Sequence, residues 1–278
     1  MRFADIKNDV AFRKIFVNKK KTICLISFLN AVLGLEGANR VVKVTLIDPY
    51  LVPRIKGEKA SIIDVRATDM RGRQFIIEMQ VADKKGFGKR VQYYTAKDYS
   101  LQILKGDDYV LLNPTYFIGI LNFPFGNNPS YYTKHLTIDQ ETGEHLLADM
   151  QYAFIQLTKF KKKESELVTL VDKWTYFLKN ARKLKLVPDN TDDEGLKEAY
   201  EEAEMFNWSK EELMSYTVAG MREQDARGEL EKAKDDGREE GVKSVARNLL
   251  VEGTSVALVS KVTGLSVEEV QKIADVLT

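Results

Sequence analysis

Two short runs constrain this chain more than anything else in it. Ser61-Ile62-Ile63-Asp64-Val65 and Phe75-Ile76-Ile77-Glu78-Met79-Gln80-Val81 are apolar and largely β-branched, the pattern of buried strands. Each carries a carboxylate inside the apolar run, where an acid is costly unless it is paired or bound to a cation. Met70-Arg71-Gly72-Arg73 lies between them and reads as a hairpin turn. That turn predicts Asp64 and Glu78 side by side on adjacent strands. Gln80, two residues beyond Glu78, then shares its face. Two converging carboxylates with a third polar group predict a small site for a hard divalent cation such as Mg2+.

The flanking segments give this hairpin a setting. Residues 9–33 have helical spacing, with Phe12, Ile15 and Phe16 and then Ile23, Ile26, Leu29 and Val32 on the apolar side. Asn18 to Lys21 breaks the run into two helices, and Gly34 ends it. Residues 41–47 read as a first strand ended by Asp48-Pro49. After the two acid-bearing strands, residues 86–104 read as a helix with Val91, Tyr94 and Leu101 on its apolar side. Strands are expected at 110–120, 131–138 and 152–157. The order of helix, three strands, helix and strand predicts an α/β (α+β) fold with a mixed central sheet flanked by helices.

The remainder is helical. Residues 165–181 are amphipathic, 193–208 are acidic and helical, and Ser209 with Glu212 forms a capping box that opens another helix. Residues 222–244 are polar throughout and read as a solvated helix or a hinge. Residues 245–278 recover amphipathicity as helix, Gly253, helix, Gly264-Leu265-Ser266, helix. The expected organisation is a core over 1–160, a helical extension packing on it over 161–221, the polar segment, and a small helical tail over 245–278.

Net charge is +1 over 278 residues, so bulk charge does not announce a nucleic-acid binder. Its distribution is uneven. Lysine and arginine cluster at 19–21, 84–90 and 159–163, and acid concentrates in the last third. This fits a phosphate-binding front and an interacting back, although each cluster alone reads as solvated surface. The single cysteine, Cys24, sits in an apolar helical pattern and reads as core; it excludes a disulfide framework and a thiolate metal cluster. The start is polar and no apolar run approaches a membrane span, so a cytoplasmic protein is expected. His135 and His145 read as surface residues.

Asp9-Val10-Ala11-Phe12-Arg13-Lys14-Ile15-Phe16, Asp64 in one strand and Ile77-Glu78-Met79-Gln80 in the next together resemble the recombination-promoting nuclease and transposase-like family of the PD-(D/E)XK nuclease superfamily. The resemblance runs over nearly the whole chain, is strongest over 5–125, and includes Val262-Thr263-Gly264-Leu265-Ser266 in the tail. It implies a restriction-endonuclease-like core with a helical C-terminal extension. It also implies a metal-dependent DNA endonuclease linked to recombination or mobile elements. By position, Asp64 matches the metal-binding Asp and Glu78 the second acid. Gln80 stands where the wider superfamily usually has Lys, and Ile63 where it has Pro. Asp9 matches an acid that some members use as a further ligand; it reads equally as a helix cap.

With that resemblance, Asp64, Glu78 and Gln80 are the expected catalytic residues. Asp64, Glu78, the Met79 backbone carbonyl and Asp9 are the expected ligands of Mg2+, with Mn2+ or Ca2+ as substitutes. Gln can orient a water or a phosphate only by hydrogen bonds, so Arg66, Lys85 or Arg90 is expected to supply the missing charge. Lys84, Lys85, Lys89, Arg90 and Tyr93 are expected to face DNA. Gly86-Phe87-Gly88 reads as turn geometry at a helix entry. The last helix is mostly acidic, which argues against base reading and for self-association or partner docking; a homo-oligomer is expected, for example a dimer through the C-terminal helices. The alternative is a catalytically silent DNA-binding or oligomeric scaffold on a nuclease fold. A third reading is an interaction protein working through its acidic helical half.

Overall fold

The computed structural model describes residues 3–51 and 61–277. Helix α1, Asp9–Phe16, begins at Asn8, whose side chain accepts from the Val10 N–H and satisfies a donor of the first turn. Asn8, not Asp9, is therefore the cap. Ala11, Phe12, Ile15 and Phe16 form the buried face of α1. After the expected break, α2 covers Ile23–Leu33 and ends at Gly34, whose φ of 65° is the left-handed conformation that favours glycine. Cys24 is buried in the core.

A six-stranded mixed sheet forms the centre. It contains β1 (Val44–Leu46), β4 (Val65–Asp69), β5 (Gln74–Gln80), β6 (Thr115–Leu121), β7 (Tyr132–His135) and β8 (Met150–Gln156), in the spatial order β1-β4-β5-β6-β8-β7. β5, β6 and β8 run parallel, and the remaining pairings are antiparallel. Helix α3, Phe87–Ser100, makes the crossover between β5 and β6. β2 (Tyr50–Leu51) and β3 (Ser61–Ile62) form a separate two-stranded ladder.

Strand alternation sorts the core onto two faces. On one face Val65, Ala67, Phe75, Ile77, Ile118, Ile120 and Ile155 pack with α1, α2, α4 (Leu170–Asn180) and α5 (Glu194–Ala203), whose Trp174, Phe177, Leu196 and Tyr200 belong to the same cluster. Helices α4 and α5 thus lie in the same cluster as the sheet residues. On the other face Ile63, Ile76, Phe117 and Phe154 pack under Phe87 and Val91 of α3, with Tyr94 half-buried against them.

Several expected strands differ in extent: the one expected over 131–138 is confined to Tyr132–His135, and the one expected over 152–157 covers Met150–Gln156. The first expected strand is shortened to Val44–Leu46. The strand expected from 110 starts at Thr115, because Asp108 caps a short 3-10 turn over Tyr109–Leu111. The strand expected over 61–65 is interrupted at Ile63 and Asp64. Ile63 donates its N–H to the Pro49 carbonyl, away from β5, and the Asp64 side chain takes the Met79 N–H in place of a backbone partner. His135 is exposed as expected, whereas His145 is half-buried, with Nε2 lacking a partner among the described residues.

Helix α6 runs without a break over the 42 residues Lys210–Val251, so the polar stretch within it is helix. The chain forms two compact units, 1–219 and 220–278. In the first, Leu213 and Tyr216 of α6 pack with Ala4, Ala11 and Trp208. In the second, the end of α6 joins α7 (Val256–Thr263) and α8 (Val267–Asp275) around Ala246, Val259 and Val270. Ser266 and Glu269 form the expected capping box of α8. Among the described residues no helix is long and apolar enough to cross a membrane.

Candidate active site

The hairpin between β4 and β5 sets the site. Asp69 accepts from the backbone N–H groups of Arg71 and Arg73, which closes the turn. Gly72 has φ 81°, the left-handed conformation that favours glycine, and a Cβ there would also push against the Asn113 side chain. The ladder this turn fixes ends at the pair Val65 and Ile77. One step further, Asp64 stands opposite Glu78. Asp64 is on the bend entering β4, not inside a strand, and its Oδ2 accepts from the Met79 N–H at 2.8 Å.

Glu78 is only 8% exposed, and its Oε1 has no hydrogen-bond partner among the described residues. In the parallel register its neighbour on β6 is Gly119, and the Phe154 ring fills the space a Cβ there would take. Burial pushes the Glu78 carboxyl up to about 8, with the negative charge of Asp64 adding to the rise; Arg90 and a hydrogen bond from the Asp64 backbone act against it. Asp64 is also raised, first by burial and then by the charge of Asp9, against the Met79 N–H, Arg13 and Arg90.

Asp9 is the first residue of α1 and forms an ion pair with Arg13 at 3.0 Å. Among the described residues no group of three or more His, Cys, Asp or Glu side chains is gathered to hold a metal. The carboxylates brought together here are two, Asp64 and Glu78. That suits a hard cation such as Mg2+, which keeps several waters and takes one or two carboxylates. The partnerless Oε1 and the raised acids fit such an ion, whose charge offsets both the burial and the mutual repulsion.

Gln80 has both ends of its amide engaged. Oε1 accepts from Nη2 of Arg90 at 2.5 Å, and Nε2 donates to the Ala82 carbonyl at 2.9 Å. Of the expected cations, Lys84, Lys85 and Lys89 are exposed before and on the first turn of α3, and Arg90 is half-buried. Tyr93 is 42% exposed on the same helix. Arg66 is not available to a phosphate: Nε is bonded to the buried Asp98 at 2.5 Å and Nη1 to the Asp48 carbonyl. Gly86 has φ 83° at the entry to α3, and Phe87 is buried, so turn and packing account for that segment.

Two participants escaped the sequence reading. Arg13 acts on Asp64, and its spacing of four from Asp9 on one helix was the available signal. Asp98 holds Arg66 from α3; nothing in its local sequence announces that.

A helix-flanked mixed sheet with paired acids on a bend and the adjoining strand defines a nuclease-like protein. The chain belongs to the PD-(D/E)XK nuclease family transposases, a family whose model matches residues 6–233. No curated protein and no solved structure matches it.

Proposed function

We propose that the chain is a metal-dependent DNA endonuclease that hydrolyses phosphodiester bonds with Mg2+, or Mn2+ in its place. The observation that carries this is the buried Glu78 carboxyl with a partnerless Oε1 opposite Asp64. Such a pair is unfavourable as an isolated structural feature and favourable as a cation seat. A bound divalent ion lowers the pKa of its water and polarises a phosphoryl oxygen. Asp64 and Glu78 would hold it. The Met79 N–H is directed to Asp64, and a strand residue sends its N–H and C=O to the same side. This supports the Met79 carbonyl as a further ligand. Asp9 engages Arg13 through Oδ1, which leaves Oδ2 for the ion.

Hydrolysis forms a bond from the water oxygen to phosphorus and breaks the bond to the leaving sugar oxygen. The attacking water releases a proton and the leaving oxygen gains one. Lys84, Lys85 and Lys89 would hold the duplex by its phosphates, contacts that position it without reading sequence. Tyr93 lies on the same exposed face. The second unit leaves Leu258, Val262, Val267 and Val276 exposed, which supports its use in self-association.

The test is incubation of supercoiled plasmid with the protein and Mg2+, Mn2+, Ca2+ or EDTA, beside Asp64→Ala and Glu78→Ala. Nicking or linearisation that needs the ion and is lost in both variants is the expected result. DNA binding without cleavage under every ion points instead to a silent scaffold.

A further inference from the structure

We infer that Arg90 supplies the positive charge at the scissile phosphate, and that Gln80 is a positioning residue that holds Arg90 there. The inference rests on the endonuclease reading above.

The strand position two beyond Glu78 carries an amide, not a cation. That amide is not left to orient water, because its oxygen is taken by Arg90 and its nitrogen by the Ala82 carbonyl. Gln80 lies on the same face of β5 as Glu78, so the guanidinium it holds is brought to the side of the acid. A second restraint comes from α3 itself: the Arg90 guanidinium carbon lies 5.5 Å from the Phe87 ring centroid. Phe87 is buried and packed edge-on against Phe123 and Phe125, so its ring is a fixed platform. Among the described residues Gln80 is the hydrogen-bond partner of Arg90, and the rest of its N–H fork is left for an anion.

The other cations near the site lack this arrangement. Arg66 is consumed by Asp98, Arg13 is paired with Asp9, and Lys84, Lys85 and Lys89 are exposed without a comparable restraint. Arginine also suits the task, since its planar fork matches phosphate geometry and it stays charged. A positive charge fixed beside developing phosphate charge costs no reorganisation during reaction. The charge that a lysine on β5 would bring is thus delivered from the neighbouring helix.

Arg90→Ala, Gln80→Ala, the double variant, and Gln80→Lys combined with Arg90→Ala test this on the full chain. Plasmid cleavage, Mn2+ binding by calorimetry and duplex affinity in Ca2+ are measured for each, with thermal melting to confirm the fold. Arg90→Ala is expected to lower the cleavage rate by about 10²–10³-fold while Mn2+ still binds and duplex affinity falls. Gln80→Ala is expected to cost less, and nothing further once Arg90 is absent. Gln80→Lys in the Arg90→Ala background is expected to restore cleavage at least tenfold, by returning the charge to β5. Wild-type cleavage that survives Arg90→Ala, or Gln80→Ala and Arg90→Ala losses that simply multiply, overturns this inference alone. A wild type silent with every ion overturns the endonuclease reading together with it.

Discussion

Asp64 reaches across the end of the β4–β5 ladder to take the Met79 N–H at 2.8 Å, and this contact stands it opposite Glu78. A side chain thus continues the ladder after the backbone has bent away. Two acids meet where the sheet opens, in surroundings too apolar to ionise both cheaply.

The first consequence is a pH dependence of stability without metal. The Glu78 carboxyl is raised from its ordinary 4.5 to about 8, so the folded protein holds this proton more tightly than the unfolded chain. Its contribution to stability is therefore full below about 4.5 and falls as pH rises to about 8. Glu78→Gln is expected to remove that slope and to gain stability at pH 8, by up to about 4 kcal/mol. Urea melts in EDTA at pH 5 and pH 8 check this; identical pH slopes in the two proteins contradict it.

A divalent ion competes with the same proton. Between pH 6 and about 8 its affinity is expected to strengthen by up to about tenfold per pH unit, with proton release on binding. Calorimetry with Ca2+ in buffers of different ionisation enthalpy counts the protons. Asp64→Asn is expected to weaken binding by at least 10-fold, since it removes one of two carboxylate ligands.

Lys84, Lys85 and Lys89 make a prediction about salt. If each meets one phosphate, replacing it by Ala lowers the slope of log affinity against log salt by about 0.9. Anisotropy with two unrelated duplexes should show the same loss on both, because phosphate contacts carry no sequence information. A change confined to one duplex contradicts this assignment.

Arg66 is expected to matter for stability. It neutralises Asp98, which is fully buried on α3 and raised by that burial, with Arg66 opposing the rise. Arg66→Ala strands this acid and should cost about 3 kcal/mol. Combining it with Asp98→Asn should recover part of the loss. A normal melting temperature for Arg66→Ala would show the pair to be dispensable.

Much of this was legible in the chain because it is local. The β-branched runs, the glycine turn and the spacing of Glu78 and Gln80 are short-range properties, and they predicted the hairpin and the facing acids. The helices were legible from periodicity and caps, although Asn8 took the cap that Asp9 also fitted. Strand ends were less so, because Asp64 and Asp108 use side chains to take over backbone hydrogen bonds, which an apolar pattern does not register.

The sequence by itself determined the two acids, their common hairpin and the mixed α/β class, since periods of two and of 3.6 residues are set by backbone geometry. Only the tertiary structure decided which partners the neighbouring charges have. Arg66, Lys85 and Arg90 are equivalent as letters. Asp98 holds Arg66, solvent surrounds Lys85, and Gln80 with Phe87 holds Arg90. The crossover helix α3 makes these choices, because packing brings Asp98 to Arg66 and Arg90 to Gln80, contacts that no local spacing announces.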